Sequence, residues 1–129
     1  MLLDTHIWIW LVDRPKRLGR RTTRVLTSER TDGYLSAVSV MEFIQLAEKG
    51  RFGKTMDHEG WLQGALTGWP LIEVGATWEI AREAGKLRPD WADPADRWLM
   101  ATARVLGCPL VTADAAIIDS GLVATIPND

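Results

Sequence analysis

The residues with the most chemical potential in this 129-residue chain are carboxylates set against apolar runs. Asp4 interrupts MLLDTHIWIW, where an ionised acid in apolar surroundings is costly unless something compensates it. Glu42 lies in SAVSVMEF, Asp93 and Asp96 in DPADRWLMATA, and Asp114 in PLVTADAAI. A spacing of three sets Asp93 and Asp96 on one helical face. Each acid also has a structural explanation. Ser39-Val40-Met41-Glu42 matches a capping box. Asp93-Pro94 is a good helix entry, and Asp96 would complement the helix dipole. Taken together, converging carboxylates stay ionised only around positive charge. Hard divalent cations such as Mg²⁺ or Mn²⁺, which prefer oxygen ligands, suit that role. Neither His6 nor His58 falls in a metal-ligand spacing such as H-x-x-x-H.

The elements needed to gather these acids are readable from patterning. MLLD reads as a short buried strand, with Thr5 as the N-cap of a helix through IWIWLV. RLGRRTTRVLTSE reads as a second helix, and YLSA as a strand. A third helix starts at Ser39 and ends at Gly50. The stretch 51–60 is weakly patterned, and WLQGALTG suggests a helix despite its glycines. LIEV is a strand, TWEIAREAGKL an amphipathic helix, and ADRWLMATARVLG a helix entered through PDWADPAD. PLVT is a strand, ADAAIIDSG a turn region, and LVATI a last strand. Short apolar strands alternating with helices predict an α/β fold with a mostly parallel central sheet flanked by helices. In such sheets ligands bind beyond the carboxyl ends of the strands, where these acids fall.

Composition narrows the class. With 47% apolar and 25% charged residues the chain reads as one globular domain over residues 1–129. A formal net charge of −2 excludes a global field drawing it to nucleic acid, so such a role needs a local basic patch or bound cations. The single cysteine, Cys108, leaves no internal disulfide and fits a reducing compartment. No apolar run reaches membrane-spanning length, and the N-terminus lacks a signal-peptide pattern, so the expected location is cytoplasmic. Seven tryptophans are expected mainly in the core, with exposed ones available to partners.

The motifs LLDTHIWIW, SAVSVMEF, DPADRWLMATA and PLVTADAAI, in that order and spacing, resemble the PIN-domain ribonucleases, specifically VapC-like toxins of toxin–antitoxin pairs. The resemblance spans essentially the whole chain. It implies a PIN-like fold, with Asp4, Glu42 and Asp96 as core metal-binding acids and Asp114 completing the site. It assigns Asp93 no ligand role. Ala95 departs from the bulky apolar residue common at that place, which bears on local packing rather than on the acids. The implied chemistry is hydrolysis of RNA phosphodiesters with one or two Mg²⁺ or Mn²⁺ ions, leaving 5′-phosphate and 3′-hydroxyl ends. The implied partners are a cognate antitoxin and a second copy of the chain. Thr5 and Thr112 flank the acids, where positioning a ligand competes with capping and strand packing.

Arg17, Arg20, Arg21 and Arg24 recur at i, i+3, i+4 and i+7. On one helix they would form a basic stripe, either solvated, tracking RNA phosphates, or docking an acidic partner. Trp8 and Trp10 on the first helix are candidate partner contacts, although on different faces. An aspartyl-phosphate phosphatase would need an acid where His6 stands. A receiver domain would need an N-terminal acidic pair and a later lysine, and no G-x-G-x-x-G or Walker A stretch supports a nucleotide site. The alternative of a different class is a non-catalytic metal-binding or RNA- or protein-interaction module of the same fold.

Overall fold

The computed structural model describes residues 1–52 and 57–129; within the weakly patterned stretch 51–60, positions 53–56 lie outside the described residues. The order is β1 (Leu2–Leu3), α1 (Thr5–Asp13), a 3₁₀ turn (Pro15–Arg17), α2 (Arg20–Leu26), β2 (Gly33–Ser36), α3 (Ala37–Glu48) and α4 (His58–Thr67). There follow β3 (Leu71–Val74), α5 (Trp78–Lys86), α6 (Pro94–Leu106), β4 (Leu110–Thr112), α7 (Ala115–Ser120) and β5 (Thr125–Pro127). The strands form one sheet in the order β3-β2-β1-β4-β5, and every pairing among them is parallel.

β1 is short and central. Leu2 and Leu3 are fully buried, and successive strand residues point to opposite faces. Leu3 joins Ile7, Trp8, Phe43, Leu62 and Val111 on one face. Leu2 joins Ile80, Leu99, Met100, Leu110 and Ile117 on the other. Phe43 stacks on Trp61 with centroids 4.3 Å apart, and Trp8 meets both rings edge-on. Trp8 is therefore core rather than a partner contact, since its accessible surface is nil.

Several elements depart from their sequence expectation for local reasons. Asp4, not Thr5, is the N-cap of α1, its carboxylate accepting from Thr5 N–H at 2.7 Å. The second helix, expected over 17–29, is shorter: Arg17 belongs to a 3₁₀ turn begun at Pro15, and α2 runs only from Arg20 to Leu26. The third helix starts two residues before Ser39, with Ser36 accepting from Val38 N–H, so Ser39 and Glu42 form no capping box. Ser39 instead lies buried inside α3, where its Oγ accepts from Thr5 Oγ1 at 2.8 Å. The expected turn at 115–120 is a helix, capped by Asp114 and closed at left-handed Gly121. The last strand falls at Thr125–Pro127, a little later than LVATI. The strand LIEV, the Asp93 cap and Gly50 at the end of α3 stand where expected, while Thr77, read as the first residue of its helix, caps α5 instead.

The start of α2 is clamped by residues 128–129. Gly19 N–H donates to Asn128 Oδ1 at 2.8 Å, and the Asp129 carbonyl accepts from Arg21 and Thr22. A Cβ on Gly19 would lie 2.0 Å from the Asp129 carbonyl carbon, whereas one on Gly64 in α4 meets open space. Gly19→Ala should therefore destabilise the fold by about 1–3 kcal/mol through overpacking. Gly64→Ala should stabilise it by about 0.5–1 kcal/mol through backbone entropy. Opposite displacements of the thermal unfolding midpoint would verify the pair; a neutral Gly19→Ala would contradict the clamp.

Candidate active site

The carboxyl ends of β1 and β4 lie side by side, because Leu3 pairs with Val111. The next residues along, Asp4 and Thr112, meet: Thr112 Oγ1 donates to Asp4 Oδ2 at 2.6 Å. Asp4 Oδ1 takes the Thr5 N–H, so both oxygens are held. Asp114 N–H in turn donates to Thr112 Oγ1 at 3.0 Å, which ties the α7 cap to the same cluster. Asp4 is only 8% exposed. Burial pushes its carboxyl above the ordinary range, opposed by the Thr112 and Thr5 hydrogen bonds and nearby His6, and reinforced by Asp114.

Two further acids come from neighbouring helices. Glu42, half-buried on α3, is also raised, first by burial and then by Asp4 and Asp93, against the lowering influence of the Thr5 hydroxyl and His6. Asp96, in the first turn of α6, is pushed up to about 7. Its causes are burial, then repulsion from Asp93 and Asp4, and last from Asp114, with the Trp91 indole opposing. Asp93 and Asp114 spend an oxygen each as N-caps of α6 and α7, accepting at 2.9 Å from Ala95 and Ala116. Asp4, Glu42, Asp93, Asp96 and Asp114 thus form a web of mutually repelling acids at one edge of the sheet. A carboxylate has about four lone-pair sites, so the bonds already made leave oxygens for a ligand.

This donor set fits a hard divalent cation: it is all oxygen, partly buried and short of positive charge. Among the described residues no three His, Cys, Asp or Glu side chains already stand in an arrangement that would grip an ion. Thr112 was visible in the sequence only as a flanking residue; its bond to Asp4 depends on the β1–β4 register, which carries no local signal.

The expected basic stripe is divided. Arg20, Arg21 and Arg24 are exposed on α2, but Arg17 lies in the preceding 3₁₀ turn. Its guanidinium stands over Trp10, 5.0 Å from the ring centroid.

A fold with these acids at the carboxyl edge of a parallel sheet defines a class. Residues 1–120 match the PIN domain. The sequence is 34% identical over 116 residues to Ribonuclease VapC22 of Mycobacterium tuberculosis (strain ATCC 25618 / H37Rv), covering 88% of this chain and 86% of that protein. The chain belongs to the PIN-domain family. Its fold is shared with VapBC2 of Rickettsia felis, a complex bound to a promoter DNA fragment (TM-score 0.76, 16% identity, 99% of this chain and 98% of that one). It is shared too with DNA-bound VapBC of Salmonella typhimurium (0.72, 19%, 99% and 97%) and a toxin–antitoxin complex of Klebsiella pneumoniae (0.70, 21%, 99% and 97%).

The raised acids set a pH dependence. Below about pH 4 Asp96 is protonated in both folded and unfolded chains. Between about pH 4 and 7 the unfolded chain releases that proton while the folded chain keeps it, so stability falls as pH rises through the window. For a half-buried group, screened by solvent, the loss is on the order of 1–2 kcal/mol. In EDTA the thermal midpoint should fall across this range, and Asp96→Asn should flatten the fall. Identical pH profiles for the two proteins would contradict the assignment.

Proposed function

We propose that this protein is a metal-dependent ribonuclease, the toxin of a toxin–antitoxin pair. The reading is carried by the buried, doubly hydrogen-bonded Asp4 at the centre of the repelling acids. It is supported by the family and by similarity to a protein named as a ribonuclease. Asp4, Glu42 and Asp96 would hold Mg²⁺ or Mn²⁺, with Asp114 holding a second ion or a water. A divalent cation bound there supplies Lewis acidity toward a phosphodiester and makes water more acidic.

The protein's own residues do the rest. Thr112 and Thr5 fix the Asp4 carboxylate in one orientation, and a fixed donor loses little entropy when it binds. Asp96, pushed up to about 7 by burial and its acidic neighbours, would be ionised beside a bound cation. RNA is itself anionic, so the acids repel it, and basic side chains nearby must supply its affinity. A cognate antitoxin and a second copy of the chain complete the reading. The copy is supported by exposed Met41 on α3, which lines an open groove with Val38, Ala95 and Trp98 beside Glu42.

Incubation of the purified protein with end-labelled RNA tests the proposal. Cleavage should require Mg²⁺ or Mn²⁺, stop in EDTA, and disappear in Asp4→Asn while thermal stability is kept or raised. Thr112→Val, which frees the carboxylate, should cut the rate about 10- to 100-fold and weaken the apparent metal affinity. Full activity in Asp4→Asn would refute the site; RNA binding without cleavage under every metal condition would favour the non-catalytic module.

A further inference from the structure

Beside the acids, α1 presents His6, Trp10 and Asp13 at i, i+4 and i+7, on one face. Seven residues of helix extend about 10 Å. That face forms one wall of a groove of about 280 Å³, whose other lining includes Arg14, Arg17, Arg51 and Phe52. Three arginines and one carboxylate, Asp13, thus line the groove, and among the described residues that acid pairs with Arg14 alone, at 3.6 Å with both side chains exposed. Arg17 and Arg51 make no ion pair among the described residues. Arg17 is held in place: its guanidinium lies over Trp10, and its carbonyl accepts from Asn128 Nδ2 at 3.0 Å. His6, on the first turn of α1, both lines the groove and lies two residues from Asp4, close enough to act electrostatically on Asp4 and Glu42.

We propose that this groove is the subsite for single-stranded RNA adjoining the candidate active site, with Arg14, Arg17 and Arg51 on phosphates and the Arg17–Trp10 pair as a stacking platform for a base. The proposal deepens the ribonuclease reading and rests on it for the choice of RNA. The chemistry is that of single-strand recognition: cations follow the backbone, while aromatic rings and guanidinium planes stack the bases. Even at the stacked-strand rise of about 3.4 Å per nucleotide the length of the groove takes at most three, and fewer of an extended strand. The charge excess is local, which reconciles an anionic ligand with a net charge of −2. It also moves the basic track expected on the second helix to the turn before it, since Arg17 alone of those four lines the groove.

Binding can be read without cleavage. A fluorescein-labelled 12-nucleotide RNA is titrated by anisotropy with full-length protein in EDTA over a salt series. Arg17→Gln/Arg51→Gln should weaken binding at least tenfold and reduce the log–log salt slope by about 1.4, or 0.7 for each phosphate contact. Arg17→Lys keeps the charge and loses the plane, so it should keep the slope and still weaken binding about fivefold or more. Arg20→Gln/Arg21→Gln/Arg24→Gln should change the affinity less than twofold. Thermal midpoints establish that each surface variant is folded. Wild-type affinity and slope in Arg17→Gln/Arg51→Gln would overturn the proposal, as would a loss confined to the α2 triple variant. Tighter binding of a 12-residue polyglutamate than of the RNA would also overturn it, in favour of an acidic protein. The two readings fail separately. RNA held in this groove but never cut with Mn²⁺ sinks the hydrolase, and metal-dependent cutting with unchanged KM in the groove variant sinks the subsite.

Discussion

A carboxylate sits where two central strands end, almost out of reach of water, and two hydrogen bonds keep it in place. Burying such a group costs several kcal/mol before compensation. One backbone N–H and one hydroxyl recover part of that, and the remaining imbalance appears in its raised proton affinity. The arrangement around it follows from this tension. The β1–β4 register puts Thr112 next to Asp4, Thr5 links α1 to Ser39 of α3, and Thr112 anchors the loop carrying Asp114. Thr5 and Thr112, both fully buried, are thus bonded to that carboxylate or to what surrounds it.

A parallel sheet makes the gathering possible. Every strand delivers its carboxyl end to the same edge, and α1, α3 and α7 begin directly from the strand ends there. Asp4, Asp93 and Asp114 all cap helices at that edge. Helix dipoles and free N–H groups make the place tolerant of negative charge, although not of five acids together. Residual repulsion gives the cluster its appetite for a cation, and the two hydrophobic clusters on either side hold the sheet rigid against it.

Much of this was legible in the residues. Asp4 betrayed itself by standing in an apolar run that became a fully buried central strand. Asp93-Pro94 marked the entry to α6, and the alternation of strands and helices led to the sheet. What failed were places where local rules compete. Ser39 and Glu42 satisfy the capping-box pattern, but Ser36 caps first, because β2 ends there and the chain turns at once into α3. The arginine spacing promised one helix, but Arg17 ends a 3₁₀ turn, and the clamp of residues 128–129 on Gly19 sets the start of α2 after it. Trp8 and Trp10 look alike in the sequence, yet only the packing of Phe43 and Trp61 decides that one lies in the core and the other under an arginine. The Thr112 hydroxyl was the hardest to foresee, since it acts across 108 positions of chain.

That separation has a temporal consequence. A ribosome makes the N-terminal carboxylate first and its threonine partner near the end, and strands β4 and β5 can join the sheet only after almost the whole polypeptide has emerged. An interrupted translation product therefore contains Asp4 and Glu42 without the neighbour that orients the first. Until that point the first carboxylate lacks the hydroxyl that orients it, so this edge of the sheet is the last part of the molecule to be completed.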